Sequence, residues 1–376
     1  MLLELFLQAL SVLLLALIVE KTPDNLGPIA DLITGIVNKS SIISENLSPY
    51  RQNDGKDISV FPTSSSESIE TYDFIIVGAS PSGSALANRL SEVGKWNIIV
   101  LEAGGMPSPL TTIPVQCTLL SFTAYDWGAH TEPQEQHCRG NVEALTYVKT
   151  NLTDPEHPTW PDIELIFLAG TPATDFGLYI RQIFNIPKET FNVVWKPLIG
   201  KPGFTVLTQL MHPISVGYIR LRSKDSLDEP RYFTNFFSDP ENIDVRAHIA
   251  GIREGQRIVS QPTMQRYGAR IVDTPIPGCA NFTFDTDEYW ECAIRELTGS
   301  LWHQQSTCKM GPKEDKTAVV DAKLRVHGLK GLRVIDTGVI PRSISAHLTG
   351  PAYMIGEKGA DIIKQDWGEL RSSDQS

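Results

Sequence analysis

The residues of this chain best suited by type and spacing to hold a ligand are Gly78, Ser80, Ser82 and Gly83, in the turn Gly78-Ala-Ser-Pro-Ser-Gly83, and Glu102, 24 positions beyond Gly78. A glycine-rich turn between strand and helix aims the first N–H groups of the helix at a pyrophosphate, and an acid closing the next strand accepts hydrogen bonds from a ribose. The pattern is that of a dinucleotide site with one substitution. The middle glycine of G-x-G-x-x-G is Ser80, whose Cβ stands where backbone approaches the phosphates and whose hydroxyl can donate to one. No C-x-x-C pair or histidine-rich cluster occurs, so no metal site is expected.

The elements that must position this turn lie on either side of it. Tyr72 to Val77 and Ile98 to Leu101 are short apolar runs, and Ser84 to Glu92 reads as a helix whose Leu86 and Leu90 fall one turn apart. Together they predict a β-α-β unit with parallel strands buried on both faces, since the runs are continuously apolar instead of alternating. Pro81 fits a first helical position, where its missing N–H is no loss.

A chain of 376 residues, 41% hydrophobic and 20% charged, has material for one large or two ordinary globular domains. A formal charge of −11, with no basic stripe, argues against a nucleic-acid partner. Met1 to Val19 is leucine-rich and reads as a signal peptide in preference to an anchor, which predicts a secreted protein. Sequons at Asn38, Asn46, Asn151 and Asn281 are compatible with a secreted glycoprotein. Of the five cysteines, Cys279 and Cys292 are close enough in sequence to be the expected disulfide, and Cys138 has no evident mate.

Ile29 to Val37 has the spacing of a short amphipathic helix, and the serine-rich stretch to Ser68 reads as a linker. Beyond the β-α-β unit, Val142 to Val148 and Ile163 to Ala169 read as strands, and Gly217 to Ser223 alternates as a strand with one face packed. Ser238-Asp239-Pro240 reads as a helix start, and Val245, Ile249, Ile252 and Val259 continue one apolar face until Pro262. This middle block is expected to be an antiparallel sheet with helices beside it, an α+β layer distinct from the nucleotide unit.

The last quarter contains WHQQSTCKMGP from Trp302 and VVDAKLRVHGLKGLRVIDTGVIPRSISAHLTGPAYMIGEKGADIIKQDW from Val319. With YDFIIVGASPSGSALANRLS and VLEAGG, these stretches resemble the glucose-methanol-choline oxidoreductases, and within them the insect glucose dehydrogenase type. The resemblance implies an FAD enzyme of the α/β class: a Rossmann-like FAD-binding domain with an α+β antiparallel-sheet substrate domain. It implies oxidation of an alcohol or sugar, with hydride passing to the flavin and the hydroxyl proton to a base, and a quinone or other acceptor taking the electrons. His303 matches the family's catalytic base and His347 its second histidine or asparagine; a neutral imidazole suits proton transfer near working pH. Asp336, closing the expected strand LRVID, matches a position near the cofactor pyrophosphate. Leu348 and Thr349 match the start of a helix near Pro351 whose N-terminus faces the flavin, with Gly350 allowing close approach and Met354 and Ile355 anchoring it.

The chain also departs from the family. Between Gly140 and Asn141 relatives carry a long segment, including the loop R-G-K-x-x-G-G-S-S and a second signature G-A-I-x-S-P, and neither is found here. The expected FAD-binding domain is therefore truncated. The organisation read from the sequence is a signal peptide or anchor over 1–20, a helix and linker over 21–70, the FAD-binding domain over 71–140 and 301–370, and the substrate domain over 141–300. Two other readings accompany the oxidoreductase. One is a catalytically silent, shortened relative or incomplete gene product with weak or no FAD binding. The other is a nicotinamide dehydrogenase, which rests on the N-terminal unit alone and leaves the tail unexplained.

Overall fold

The structure is a computed structural model that describes residues 71–102, 144–152, 154–177, 180–225, 228–299, 301 and 303–369. The leader, the helix at Ile29, the linker, the sequons at Asn38 and Asn46, and Cys138 lie outside the described residues. The main elements are β1 (Phe74–Val77), α1 (Pro81–Ser91), β2 (Ile98–Leu101), β3 (Ala144–Val148), β4 (Ile163–Leu168), β5 (Thr205–Leu210), β6 (Tyr218–Arg220), β7 (Arg231–Phe233), α2 (Ile243–Val259), α3 (Asp287–Leu297) and α4 (Thr349–Asp366). The fold is α/β, and the chain forms two compact units. Of the described residues, 71–102, 211–213 and 303–369 belong to one, and the others to the second.

In the first unit β1 and β2 pair in parallel, Phe74 opposite Ile98 and Val77 opposite Leu101. The helix between them starts earlier than the periodicity suggested, at Pro81, because Ser80 caps it by accepting from the Gly83 N–H at 3.4 Å. Ile76, Leu86, Leu90, Ala360 and Ile363 form a buried cluster with Phe74, Trp96 and Ile98 packed against it, so α1 and α4 cover the same sheet face. The expectation that both faces are buried is corrected. Successive strand side chains alternate between faces, and with both helices on the Ile76 side, Ile75 and Val77 are 63% and 82% exposed.

The two helices approach closely through small residues. A Cβ on Gly356 would lie 2.4 Å from the Ser82 carbonyl oxygen and 2.9 Å from the Ala85 Cβ, while one on Gly359 would lie 2.6 Å from Ile335 in the segment before α4. A second buried cluster, Val320, Leu324, Val339, Ile340, Leu348 and Ile355, holds the segments before α4 together. The strand expected at LRVID is not formed there. Arg333 makes an isolated bridge to Arg325, and the Val334 N–H donates to the Leu324 carbonyl at 3.1 Å, so the segment is a set of turns over that cluster.

The second unit contains the expected α+β layer. Strands β3, β4 and β5 form an antiparallel sheet in that order, and Ile163, Leu165 and Ala247 join the sheet to α2 in one cluster. Gly251 of α2 faces the sheet, where a Cβ would meet Ile163 at 2.9 Å. The predicted helix start is displaced: Asp239 accepts from the Ile243 N–H at 2.5 Å, and a turn through Asn242, at φ 54°, precedes the helix proper. Cys279 and Cys292 form the expected disulfide. The strand at Tyr218 forms and pairs with β7, but neither face is packed. All three of its residues are exposed, and Tyr218 stacks on Phe233 at 4.6 Å as a two-stranded ribbon.

Candidate active site

Every residue singled out for chemistry falls within the first unit. His303 leads an irregular segment that is pinned to the turn at 337–339, where the Cys308 and Met310 N–H groups donate to the Gly338 and Val339 carbonyls at 2.9 Å each. His347 directly precedes Leu348, the buried N-cap residue of α4 and a member of the adjoining cluster. Two segments 44 residues apart are thereby held together, and the His347 Nδ1 lies 3.2 Å from the His303 Nε2. The rings stand edge to face, their centroids 4.7 Å apart and their planes at 89°.

An N···N contact of that length needs a single proton in the gap, since two N–H groups would collide and two lone pairs would repel. Burial pushes the His303 imidazole below its ordinary pKa, and the nearness of the His347 imidazole, which disfavours a second positive charge, pushes it the same way. His303 is therefore neutral near pH 7 and able to accept a proton.

The glycine turn is shaped by its own hydrogen bonds. Gly78 adopts φ 96°, a region that glycine enters without strain, and a methyl group on it would meet nothing within 4 Å. Its N–H donates to the Leu101 carbonyl at 2.7 Å, and the next N–H, of Ala79, donates to the Glu102 carboxylate at 2.5 Å. Gly83 has no room for a side chain, because a Cβ would lie 2.0 Å from the Gly78 carbonyl oxygen. Ser82 is buried and its hydroxyl donates to the Ala352 carbonyl at 2.8 Å, so this side chain joins the turn to the first turns of α4 instead of facing outward.

The remaining predicted residues divide. Thr349 and Gly350 are exposed at the start of α4, where a methyl group on Gly350 would meet nothing within 4 Å, and no side chain caps this helix. Leu348 has its side chain in the core, which leaves only its backbone for a ligand. Asp336 is exposed and accepts from the Gly338 N–H at 2.7 Å, so it shapes the turn that pins the His303 segment. Of the two expected anchors, Ile355 is buried. Met354 is not: its position on α4 turns it 62% into solvent.

These residues fit a dinucleotide: an open turn with a left-handed glycine, a helix N-terminus behind it, an acid at the end of β2, and a second uncapped helix joined to the turn by Ser82 and Ala352. Ser80 is the exception, since its hydroxyl occupies the Gly83 N–H.

Sequence reasoning missed His212 and Gln305. The His212 Nδ1 lies 2.8 Å from the Ser343 carbonyl and its Nε2 lies 2.7 Å from the Ser345 hydroxyl. Gln305 donates to the Ser343 hydroxyl at 3.0 Å. The available signal was a His-Pro pair directly ahead of the strand at Tyr218, in a block read only for its secondary structure. Outside this site, Asp154, Glu156 and His157 bring one ligand atom each within 4.8 Å of one another in the second unit. The His157 ring there stacks on Trp160 at 3.8 Å.

Residues 213–356 match the family model described as GMC oxidoreductase. A glucose dehydrogenase [FAD, quinone] of Drosophila pseudoobscura pseudoobscura is 44% identical over 163 residues, 43% of this chain and 26% of the relative. Choline oxidase of Arthrobacter globiformis is 35% identical over 162 residues, 43% of this chain and 29% of the relative. A solved fungal aryl-alcohol oxidase matches with a TM-score of 0.41 at 30% identity, covering 57% of this chain and 29% of that one. The matches thus span less than a third of the length of each of these proteins. The resemblance to glucose-methanol-choline oxidoreductases, and to their insect glucose dehydrogenase type, is borne out over the part aligned.

Proposed function

We propose, from a chain that carries the C-terminal part of the glucose-methanol-choline oxidoreductases, that this protein is an FAD-dependent oxidoreductase acting on the CH–OH group of a small alcohol or sugar. The observation that supports this most directly is the pair of imidazoles, His347 Nδ1 to His303 Nε2 at 3.2 Å. FAD, when bound, supplies the hydride acceptor, and a quinone or similar acceptor then takes up the electrons.

The protein's part is to place the carbinol and take its proton. With one proton already shared between them, His303 and His347 can accept one more, and burial keeps His303 neutral until it does. His347 orients the substrate oxygen and then shares the positive charge. Gly78, Ser80, Ser82 and Gly83 shape the turn in which the start of α1 would hold the pyrophosphate, and Glu102 would serve the ribose. Asp336, Leu348 and Thr349 offer backbone to the cofactor, and the uncapped start of α4 favours the negative charge that reduction brings. On this reading residues 71–140 and 301–370 form the FAD domain and 141–300 the substrate domain, no metal takes part, and the disulfide between Cys279 and Cys292 suits a secreted protein. Among the described residues no helix is long and apolar enough to cross a membrane.

Purified protein is expected to be yellow, to bleach with an alcohol or sugar under anaerobic conditions, and to reduce a quinone or dye. A colourless protein that binds no added FAD would reject the proposal. Two observations favour the second reading, a silent relative with a truncated flavin domain: the Ser80 hydroxyl on the Gly83 N–H, and the bare apolar side of β1. Protein that binds FAD weakly or not at all, and that neither bleaches with an alcohol or sugar nor reduces a dye, would decide for it.

A further inference from the structure

We infer that His212 is a positioning residue that sets the alignment of the two imidazoles. This rests on the reading of His303 and His347 as the reacting pair. His212 is distant in sequence but belongs to the same compact unit, and both of its ring nitrogens are bonded to the loop that ends in His347.

The chemistry of the partners fixes its tautomer. A carbonyl only accepts, so the Nδ1 facing Ser343 carries the proton, and in the neutral ring the Nε2 then accepts from the Ser345 hydroxyl. The imidazole thus spans Ser343 and Ser345 as a rigid clamp on alternate residues, with His347 two positions farther on. Gln305, two residues after His303, donates to the Ser343 hydroxyl at 3.0 Å. Both catalytic histidines are therefore referred to one point: Ser343 is tied to His212 on one side and to the His303 segment on the other. The contact this controls is the single 3.2 Å gap between His347 and His303. The loop through Ser343, Ile344, Ser345 and Ala346 has no regular secondary structure and is held by contacts of this kind together with the packing of Ile344 on the adjoining cluster.

The test uses the full chain. His212→Leu removes both bonds at similar bulk, and His212→Gln keeps a donor and an acceptor. Long-range 1H–15N spectra of the imidazoles report the tautomers of His303 and His347 whether or not the protein turns over. In the wild type they are expected to show one hydrogen-bonded tautomer each. In His212→Leu they are expected to average toward mixed tautomers, with core methyls of Val320 and Val339 unmoved, and His212→Gln is expected to restore the wild-type pattern. On protein that turns over, kcat is expected to fall about 10²-fold in His212→Leu with KM little changed, the scale of a small misplacement of reacting groups. Should His212→Leu not fold, Ser345→Ala, which removes the Nε2 bond alone, is expected to give the same spectral change in part. Unaltered histidine spectra in whichever of these variants folds, or a change that His212→Gln shares in full, would overturn the inference. A wild type without turnover but with the spectral change in His212→Leu would reject the enzymatic reading and leave the clamp standing.

Discussion

Replacing Gly356 by alanine tests the crossing of α1 and α4, on which the relation of the glycine turn to the final helix depends. In an isolated helix the change would stabilise by about 1 kcal/mol, since glycine costs that much backbone entropy relative to alanine. At this position the new methyl would lie 2.4 Å from the Ser82 carbonyl oxygen and 2.9 Å from the Ala85 Cβ. Relieving that overlap means parting the helices, and overpacking of this kind costs about 1–3 kcal/mol. Parting them also stretches the bond from the Ser82 hydroxyl to the Ala352 carbonyl, another loss of about 1 kcal/mol. With the propensity gain set against these costs, Gly356→Ala is expected to destabilise the unit by roughly 1–3 kcal/mol. Because two compact units need not unfold together, the measurement is native-state hydrogen exchange of the α4 amides, supported by calorimetry. Gly350→Ala in the same helix, with nothing within 4 Å of the new methyl, is the control and is expected to change stability little. Faster exchange in both variants alike, or slower exchange in Gly356→Ala, would refute the argument from close approach.

Four further outcomes are expected. His303→Gln should lower turnover by about 10²–10⁴-fold at unchanged flavin content, as read from steady-state rates and the visible spectrum. Ser80→Gly should free the Gly83 N–H for a phosphate and tighten FAD binding, seen by flavin fluorescence titration; weaker binding would show that the Ser80 hydroxyl itself serves the cofactor. Replacing Cys279 and Cys292 by serine releases a loop closed across 13 positions and should cost about 3 kcal/mol, measured as lost protection of α3 in hydrogen exchange. Burial holds the His248 imidazole below its ordinary pKa, so as the pH falls below about 6.5 the unfolded chain takes up a proton that the folded chain refuses. Stability should therefore drop with falling pH in that range, His303 adding to the slope, and His248→Gln should flatten the curve from acid denaturation.

What was legible in the sequence follows the range of the interactions. The β-α-β unit shows because its strands, turn and acid are local, and even the contact of Ala79 with Glu102 spans only 23 residues. The disulfide shows for the same reason. The side of β1 left bare does not, since an apolar run looks alike whether one layer or two lie against it, and only the placement of both helices on the Ile76 face decides. Met354 went wrong in a related way: neighbouring helical residues differ by about 100° in direction, so Ile355 can be core while Met354 meets solvent. The histidine pair was readable only through a resemblance that covers both segments at once, because nothing in either segment alone specifies the other. His212 lay beyond even that, 131 residues from Ser343 and with no motif of its own in view. Its place beside the loop is a consequence of chain topology: Met211–Pro213 cluster with the unit that contains the loop although the residues on either side of them do not, which brings both ring nitrogens of His212 to Ser343 and Ser345.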